Sequence, residues 1–99
     1  MQQMSVAAER IETLFDLAAA AVTADDPERA RRYLRLAKRI SERTRTPIPA
    51  HRKRQMCRGC DLRLIAGRTA RVRVRPGRVV IRCTSCGQLH RYPFERPAD

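Results

Sequence analysis

Two pairs of cysteines are the residues of this chain whose type and spacing indicate chemistry. They are Cys57 with Cys60 and Cys83 with Cys86, and they account for all four cysteines of the sequence. Two intervening residues let both sulfurs of a pair face one point, so two pairs complete a tetrahedral site of four thiolates. The spacing predicts one zinc(II) ion per chain in a structural role. Two disulfides or four separate thiols are the alternatives, and the paired spacing disfavours both.

The residues around these pairs bear on the choice of metal. Iron also binds four thiolates, so a rubredoxin-like electron carrier is an alternative. The surroundings are rich in arginine and nothing else indicates electron transfer, which favours zinc. Gly59 stands inside the first pair, Asp61 follows the first pair and Gly87 follows the second. Glycine, and less readily aspartate, adopts the positive φ that tight turns require.

The charge of the chain predicts an acidic partner. The 99 residues carry a formal net charge of +12, with a net −4 on residues 1–26 and a net +16 on residues 27–99. Such a surface favours the phosphate backbone of a nucleic acid. An anionic membrane is the alternative, but the chain has no tryptophan and no phenylalanine-rich helix face. The arginine excess is weak support, because a GC-rich genome produces the same bias.

No targeting segment is expected. Residues 1–4 lack a positive charge. The longest apolar run near the N-terminus, at 17–22, has only six residues and is mostly alanine. The sequence therefore predicts neither a signal peptide nor a membrane span. Cysteines spaced for metal indicate a reducing compartment, and we expect a cytoplasmic protein.

An α+β fold follows from the periodicity of the two halves. Helical spacing runs from residue 5 to 22, and a second helix is predicted from Pro27 to Arg43 with Asp26 as its cap. The pair forms an antiparallel hairpin within residues 1–45. Two helices alone do not fully bury both of their apolar stripes. We therefore expect the remaining apolar surface of the hairpin to bind a protein partner or to be covered by the metal module. The residues predicted to contact a partner are Ile11, Leu14, Phe15, Ala18 and Val22.

Residues 46–56 form a junction between the helices and the cysteines. Pro47 and Pro49 make residues 46–49 extended, and a basic cluster follows them. A cluster of this kind is a phosphate-binding patch or a solvated tether. The predicted RNA-binding residues around the junction are Arg43, Arg45, Arg52, Lys53, Arg54 and Arg58.

Residues 57–94 read as a four-cysteine zinc ribbon with a small antiparallel sheet, followed by a tail at 95–99. Arginine alternates with small or apolar residues over 69–75, which predicts a strand with one basic and one buried face. Pro76 and Gly77 suit a type II turn before a strand at 78–83, and a third strand is expected at 89–92. The alternating arginines of the first strand, an alternative RNA contact, are Arg71, Arg73 and Arg75.

Catalytic chemistry is not indicated in this chain. His51 and His90 are expected at the surface or facing RNA, because four sulfurs already satisfy a structural zinc. The sequence holds no evident Ser/His/Asp set, carboxylate pair or glycine-rich phosphate loop. We therefore expect the chain alone not to be an enzyme.

The order of these motifs resembles the ribonuclease P protein component 4 family of archaea. The resemblance covers residues 4–94: the arginine-rich helix at 30–40, the Ile48-Pro49 junction, the basic run before the first cysteine pair, the strand at 71–73, the second pair, and the ending at 91–93. One departure is Ala66, where proline is expected in many relatives.

The resemblance implies a role in tRNA maturation. In that family the protein is a subunit of the ribonucleoprotein that cleaves the 5′ leader from precursor tRNA, and the RNA performs the cleavage. It pairs with the Sm-like component 1, among other protein subunits, to support the specificity region of ribonuclease P RNA. A zinc-ribbon transcription or translation factor is the competing function, since it would also be small and basic.

Overall fold

The computed structural model describes residues 5–93 and confirms the α+β class, with helices followed by an antiparallel sheet. No helix among these residues has the length and apolar content that crossing a membrane requires. The elements in chain order are α1 (Val6–Thr23), α2 (Pro27–Thr44), α3 (Ala50–Lys53), β1 (Ala70–Arg75), β2 (Arg78–Cys83) and β3 (Leu89–Pro93).

Local sequence determines where the two long helices begin and end. The Ser5 side chain caps α1 by accepting a hydrogen bond from the backbone N–H of Ala8 at 3.1 Å. Asp26 caps α2 in the same way, and Pro27 occupies its first turn. Arg45 ends α2 in a left-handed conformation, with φ 52°. The predicted spans therefore agree with the structure to within a residue or two.

The apolar face of α1 lies in a core that the helices share with the cysteine module. All five side chains predicted to dock a partner are buried, none being more than 8% exposed. They belong to one cluster with Ile48 of the junction and with Cys57 and Leu62 of the ribbon. The structure thus contradicts the prediction that this face receives a partner, and supports the alternative that the metal module covers it. The division of the chain at residues 45 and 56 stays a prediction, and the core is continuous across both positions.

Arg52 fastens α3 to α1. Its Nε donates to the Glu12 carboxylate at 2.9 Å, and Nη2 donates to Asp16 at 3.0 Å. Nη2 also lies 2.8 Å from the Glu12 carboxylate as an ion pair. Its guanidinium carbon lies 5.6 Å from the ring centroid of Phe15, and the side chain is only 13% exposed. The prediction that Arg52 binds RNA is therefore contradicted, because its donors are engaged within the chain. Residues 46–49 are extended as predicted, whereas the short helix α3 was not foreseen.

The sheet has the strand order β1-β2-β3, with both neighbouring pairs antiparallel. Gly77 has φ 75°, as the third position of the predicted type II turn requires. The prediction that β1 buries its apolar face is wrong beyond Ala70, since Val72 and Val74 are 47% and 72% exposed. Only the end of β1 nearest the cysteines reaches the core; the rest of the strand extends past it.

Candidate metal centre and nucleic-acid interface

The two cysteine pairs lie on turns with the same backbone hydrogen bonds. The N–H of Asp61 donates to the carbonyl of Cys57 at 2.9 Å, and the N–H of Gly87 donates to that of Cys83 at 2.9 Å. Asp61 and Gly87 both have positive φ, 62° and 79°. Each turn thereby points its two sulfurs inward, as the spacing predicts.

The four sulfurs form a cluster of the size that one metal ion needs. Sγ of Cys57 lies 3.5 Å from that of Cys86, and Sγ of Cys60 lies 3.7 Å from that of Cys83. All four atoms are within 4.8 Å of one another. Zinc bonds to sulfur of about 2.3 Å at tetrahedral angles place sulfurs about 3.8 Å apart. The cysteines are free rather than disulfide-bonded, so the residues fit a tetrathiolate metal site.

The backbone around Gly59 packs closely against this cluster. Its N–H donates to Sγ of Cys57 at 3.3 Å, and a Cβ at this position would lie 3.2 Å from Sγ of Cys86.

Burial raises the pKa of the Cys57 thiol to about 12 when no metal is present. Metal binding must therefore release that proton, which couples affinity to pH.

Helix α2 is bound to the first cysteine turn by ion pairs. The Asp61 carboxylate accepts from Lys38 Nζ at 3.0 Å and from Arg35 Nε at 3.2 Å. Burial raises the pKa of Asp61, but these two cations outweigh it and hold the pKa below its usual value. Arg31 reaches the second turn, where Nη2 donates to the Ser85 hydroxyl at 2.7 Å. The sequence signal for this contact was the i, i+4, i+7 spacing of the three α2 cations, which sequence reasoning passed over.

One face of the sheet is lined by arginine. Arg71 lies opposite Arg82, Arg75 lies opposite Arg78, and Arg91 lies opposite Val80. Residues directly opposite one another point to the same side of a sheet, so these side chains share a face. They surround a groove of about 360 Å³, floored by Val80 and Leu89, and none of its lining residues is acidic. We call this surface the arginine face; its arginines are Arg71, Arg73, Arg75, Arg78, Arg82 and Arg91.

Sequence reasoning found half of the arginine face. The alternation along β1 identified the first three residues. Those on β2 and β3 were missed, because only the strand register places Arg78, Arg82 and Arg91 beside them. All six are exposed.

Three of the cations predicted to bind RNA around the junction, Lys53, Arg54 and Arg58, line a second groove. This junction groove has a volume of about 420 Å³, and Lys38 lies on it although the sequence did not indicate that residue. Arg43 and Arg45 are exposed at the end of α2 but do not line it. The residues that line the junction groove are Lys38, Ile48, Ala50, Lys53, Arg54, Met56, Arg58 and Tyr92.

The two histidines have different environments. His51 is exposed, whereas His90 is fully buried, so the expectation of a surface His90 is wrong. Nδ1 of His90 accepts a hydrogen bond from Arg58 Nε at 3.2 Å. Burial and the neighbouring Arg58 charge lower the pKa of His90, which keeps the imidazole neutral at neutral pH. His90 thus holds one junction cation in place.

Comparison with known proteins gives a consistent result. The family model described as the RNAse P Rpr2/Rpp21/SNM1 subunit domain matches residues 10–87. The chain is 50% identical to a ribonuclease P protein component 4 from Halobacterium salinarum, over 91% of this chain and 96% of that protein. It is 47% identical to a component 4 from Methanopyrus kandleri, over 92% and 73%. The fold is similar to a chain from a cryo-EM structure of archaeal ribonuclease P with mature tRNA: TM-score 0.85 and 36% identity, covering 95% of this chain and 82% of that one.

Proposed function

The chain belongs to the Rpr2/Rpp21/SNM1 family of ribonuclease P subunits, and on that premise we propose that it helps to remove the 5′ leader of precursor tRNA. It is a subunit of ribonuclease P, an endoribonuclease complex. We assign cleavage to the RNA of the complex and assign binding to this chain. Neither a zinc-ribbon transcription or translation factor nor a rubredoxin-like carrier is favoured by the comparisons.

The metal that fits the cysteine cluster best is zinc(II), one ion per chain. When bound, it supplies a covalent cross-link between the two turns, and four thiolates leave no coordination position for water. This supports a structural role and argues against metal-assisted hydrolysis by this chain. Metal analysis of the purified protein distinguishes zinc from iron, and a ferric tetrathiolate would also absorb visible light.

The arginine face is the observation that carries the proposed RNA-binding function. Six exposed guanidinium groups surround one groove with no carboxylate in its lining, so their positive charges are not neutralised there. Guanidinium groups bind phosphate oxygens through two parallel hydrogen bonds. Contacts of this kind fix the position of an RNA without reading its bases, which suits a subunit that supports ribonuclease P RNA and, through it, precursor tRNA.

Charge removal with a matched control tests this function. Arg73→Gln with Arg91→Gln removes two charges from the arginine face, whereas Arg32→Gln with Arg39→Gln removes two exposed charges from α2. The first pair should weaken ribonuclease P RNA binding and reduce the log–log salt slope by about 0.7 to 0.9 per lost phosphate contact. Equal losses for both pairs would show that only net charge matters. Absence of ribonuclease P RNA from a complex purified through the parent chain would refute the function itself.

A protein partner is proposed for the outer side of the helical hairpin. Val6 and Leu17 are 63% and 41% exposed and lie three turns apart on one stripe of α1. Leu36 of α2 is 43% exposed, and Tyr33 one turn before it lines a shallow groove with Leu17. We call this surface, Val6, Leu17, Tyr33 and Leu36, the hairpin face. We propose that it binds the Sm-like component 1 of the complex, and that the assembly is cytoplasmic.

A further inference from the structure

Arg54 and Tyr92 form a cation–π pair on the surface beside the junction. The guanidinium carbon of Arg54, which follows α3, lies 4.9 Å from the ring centroid of Tyr92 on β3. Both residues line the junction groove, and both also line a neighbouring groove of about 570 Å³. The pair is therefore the wall between two open grooves. Arg54 is exposed, and no carboxylate among residues 5–93 forms an ion pair with it.

The surroundings of the pair combine apolar floors with a basic rim. The junction groove is floored by Ile48 and Met56, and the neighbouring groove by Val79 and Ile81. No acidic residue lines either groove. The cations on the rim of the junction groove are Lys38, Lys53 and Arg58.

Of these cations, Lys53 and Arg58 are the ones available to a ligand. Both are exposed, and Arg58 is oriented by its hydrogen bond to the buried His90. Lys38 is already paired with Asp61. An occupant that satisfies this arrangement has a flat, weakly polar surface and an attached negative charge within a few ångströms of it. A nucleotide has both features.

We propose that the Arg54–Tyr92 pair is a stacking site for one unpaired nucleobase of an RNA, with the adjacent phosphate bound by Lys53 and Arg58. Unpaired bases stack on aromatic rings and on guanidinium planes, and such contacts tolerate different sequences. The guanidinium is already ordered by Tyr92, which lowers the entropic cost of binding. This inference rests on the proposed RNA-binding function and adds to it a requirement for single-stranded RNA.

The stacking site is distinct from the arginine face in position and in chemistry. Arg91 and Tyr92 are adjacent in β3, so their side chains point to opposite sides of the sheet. Arg91 belongs to a surface of charges suited to phosphates, which a duplex also presents. Tyr92 belongs to a surface that offers an aromatic ring and a guanidinium group. An unpaired base can stack there, whereas a base inside a duplex is already covered by its neighbours.

The test uses the full-length, metal-loaded chain and a single-stranded oligoribonucleotide that contains 2-aminopurine, a base whose fluorescence falls on stacking. Tyr92→Leu removes the ring and keeps apolar bulk, and Arg54→Lys removes the plane and keeps the charge. Each should weaken binding by roughly 5- to 150-fold and abolish the fluorescence change, with the salt slope unaltered. Tyr92→Phe, which preserves the ring, should bind as the parent does. Metal content and thermal melting establish that each variant is folded.

Two results would overturn the inference. Parent-like affinity and quenching in both Tyr92→Leu and Arg54→Lys would show that no base stacks here. Equal displacement of the oligoribonucleotide by an acidic peptide, lost in the same variants, would identify the site as a peptide groove. Either result leaves ribonuclease P RNA binding by the parent chain intact, whereas failure of the parent to bind that RNA would refute the proposed function instead.

Discussion

Replacing Arg52 by glutamine should destabilise the whole protein without changing its intrinsic affinity for RNA. The reason is geometric, because the guanidinium donates to Glu12 and Asp16 of α1 and lies over Phe15 in the core. Glutamine keeps part of the stem and removes the charged guanidinium. The two carboxylates of α1 then lose the cation that they share.

The size of the effect follows from the exposure of each partner. Removing one member of a fully buried ion pair costs about 3–5 kcal/mol, whereas an exposed pair contributes about 0–1 kcal/mol. The Glu12 side chain is 27% exposed and that of Asp16 is 72% exposed, so water solvates much of the freed charge. Loss of the contact with Phe15 adds about 0.5–1 kcal/mol. We expect a loss of about 2–3 kcal/mol, which lowers the Tm of a domain this size by roughly 10–20 °C.

Lys53 provides the matched control for this measurement. It is the next residue, carries the same charge and is exposed, so Lys53→Gln should change the free energy of unfolding by less than about 0.5 kcal/mol. Urea unfolding followed by circular dichroism at saturating zinc compares the two variants. Combining Arg52→Gln with Glu12→Gln should give less than the sum of the single losses. Equal stability of the two single variants would refute the reasoning, as would weaker RNA binding by fully folded Arg52→Gln.

Three further predictions concern the metal site and the hairpin. Cys83→Ser should abolish zinc retention and also reduce the helical circular dichroism signal, because the helices share the core; a fully helical, metal-free variant would contradict this. Asp61→Asn should keep the left-handed turn and zinc while losing about 1 kcal/mol of stability. Asp61→Val should also weaken zinc affinity, measured by competition with a chelator. Equal zinc affinities of these two variants would contradict the argument. Leu17→Glu should prevent capture of component 1 at unchanged zinc content, and undiminished capture would exclude the hairpin face.

The elements of this fold could be predicted because their signals are local. The helical period of α1, the cap at Asp26 and the Pro76-Gly77 turn each specify a conformation within a few residues. The cysteine turns are local in the same sense, since Asp61 and Gly87 adopt the positive φ that the spacing requires.

The arrangement of the elements could not be predicted, because it depends on contacts between distant residues. Arg52 and Lys53 are adjacent basic residues with no sequence difference that assigns one to an ion pair in the interior and the other to solvent. The burial of His90 could not be predicted from the sequence either, since its partner Arg58 lies 32 residues away. The arginine face required the strand register. The exposure of Val72 and Val74 required knowledge of where the core ends.

The single core has a consequence for how the protein is made. Phe15 leaves the ribosome well before the cysteine turns, yet its backbone carbonyl accepts a hydrogen bond from Arg63, 48 residues later. The part of the apolar side of α1 that α2 does not cover therefore stays exposed during synthesis until the cysteine turns have emerged and closed. With zinc bound as proposed, closure of the turns would depend on the metal, so the metal supply of the cell would control the survival of the entire chain against proteases, and not of the ribbon alone. Zinc limitation would thus reduce the number of complete ribonuclease P particles by reducing the amount of this subunit.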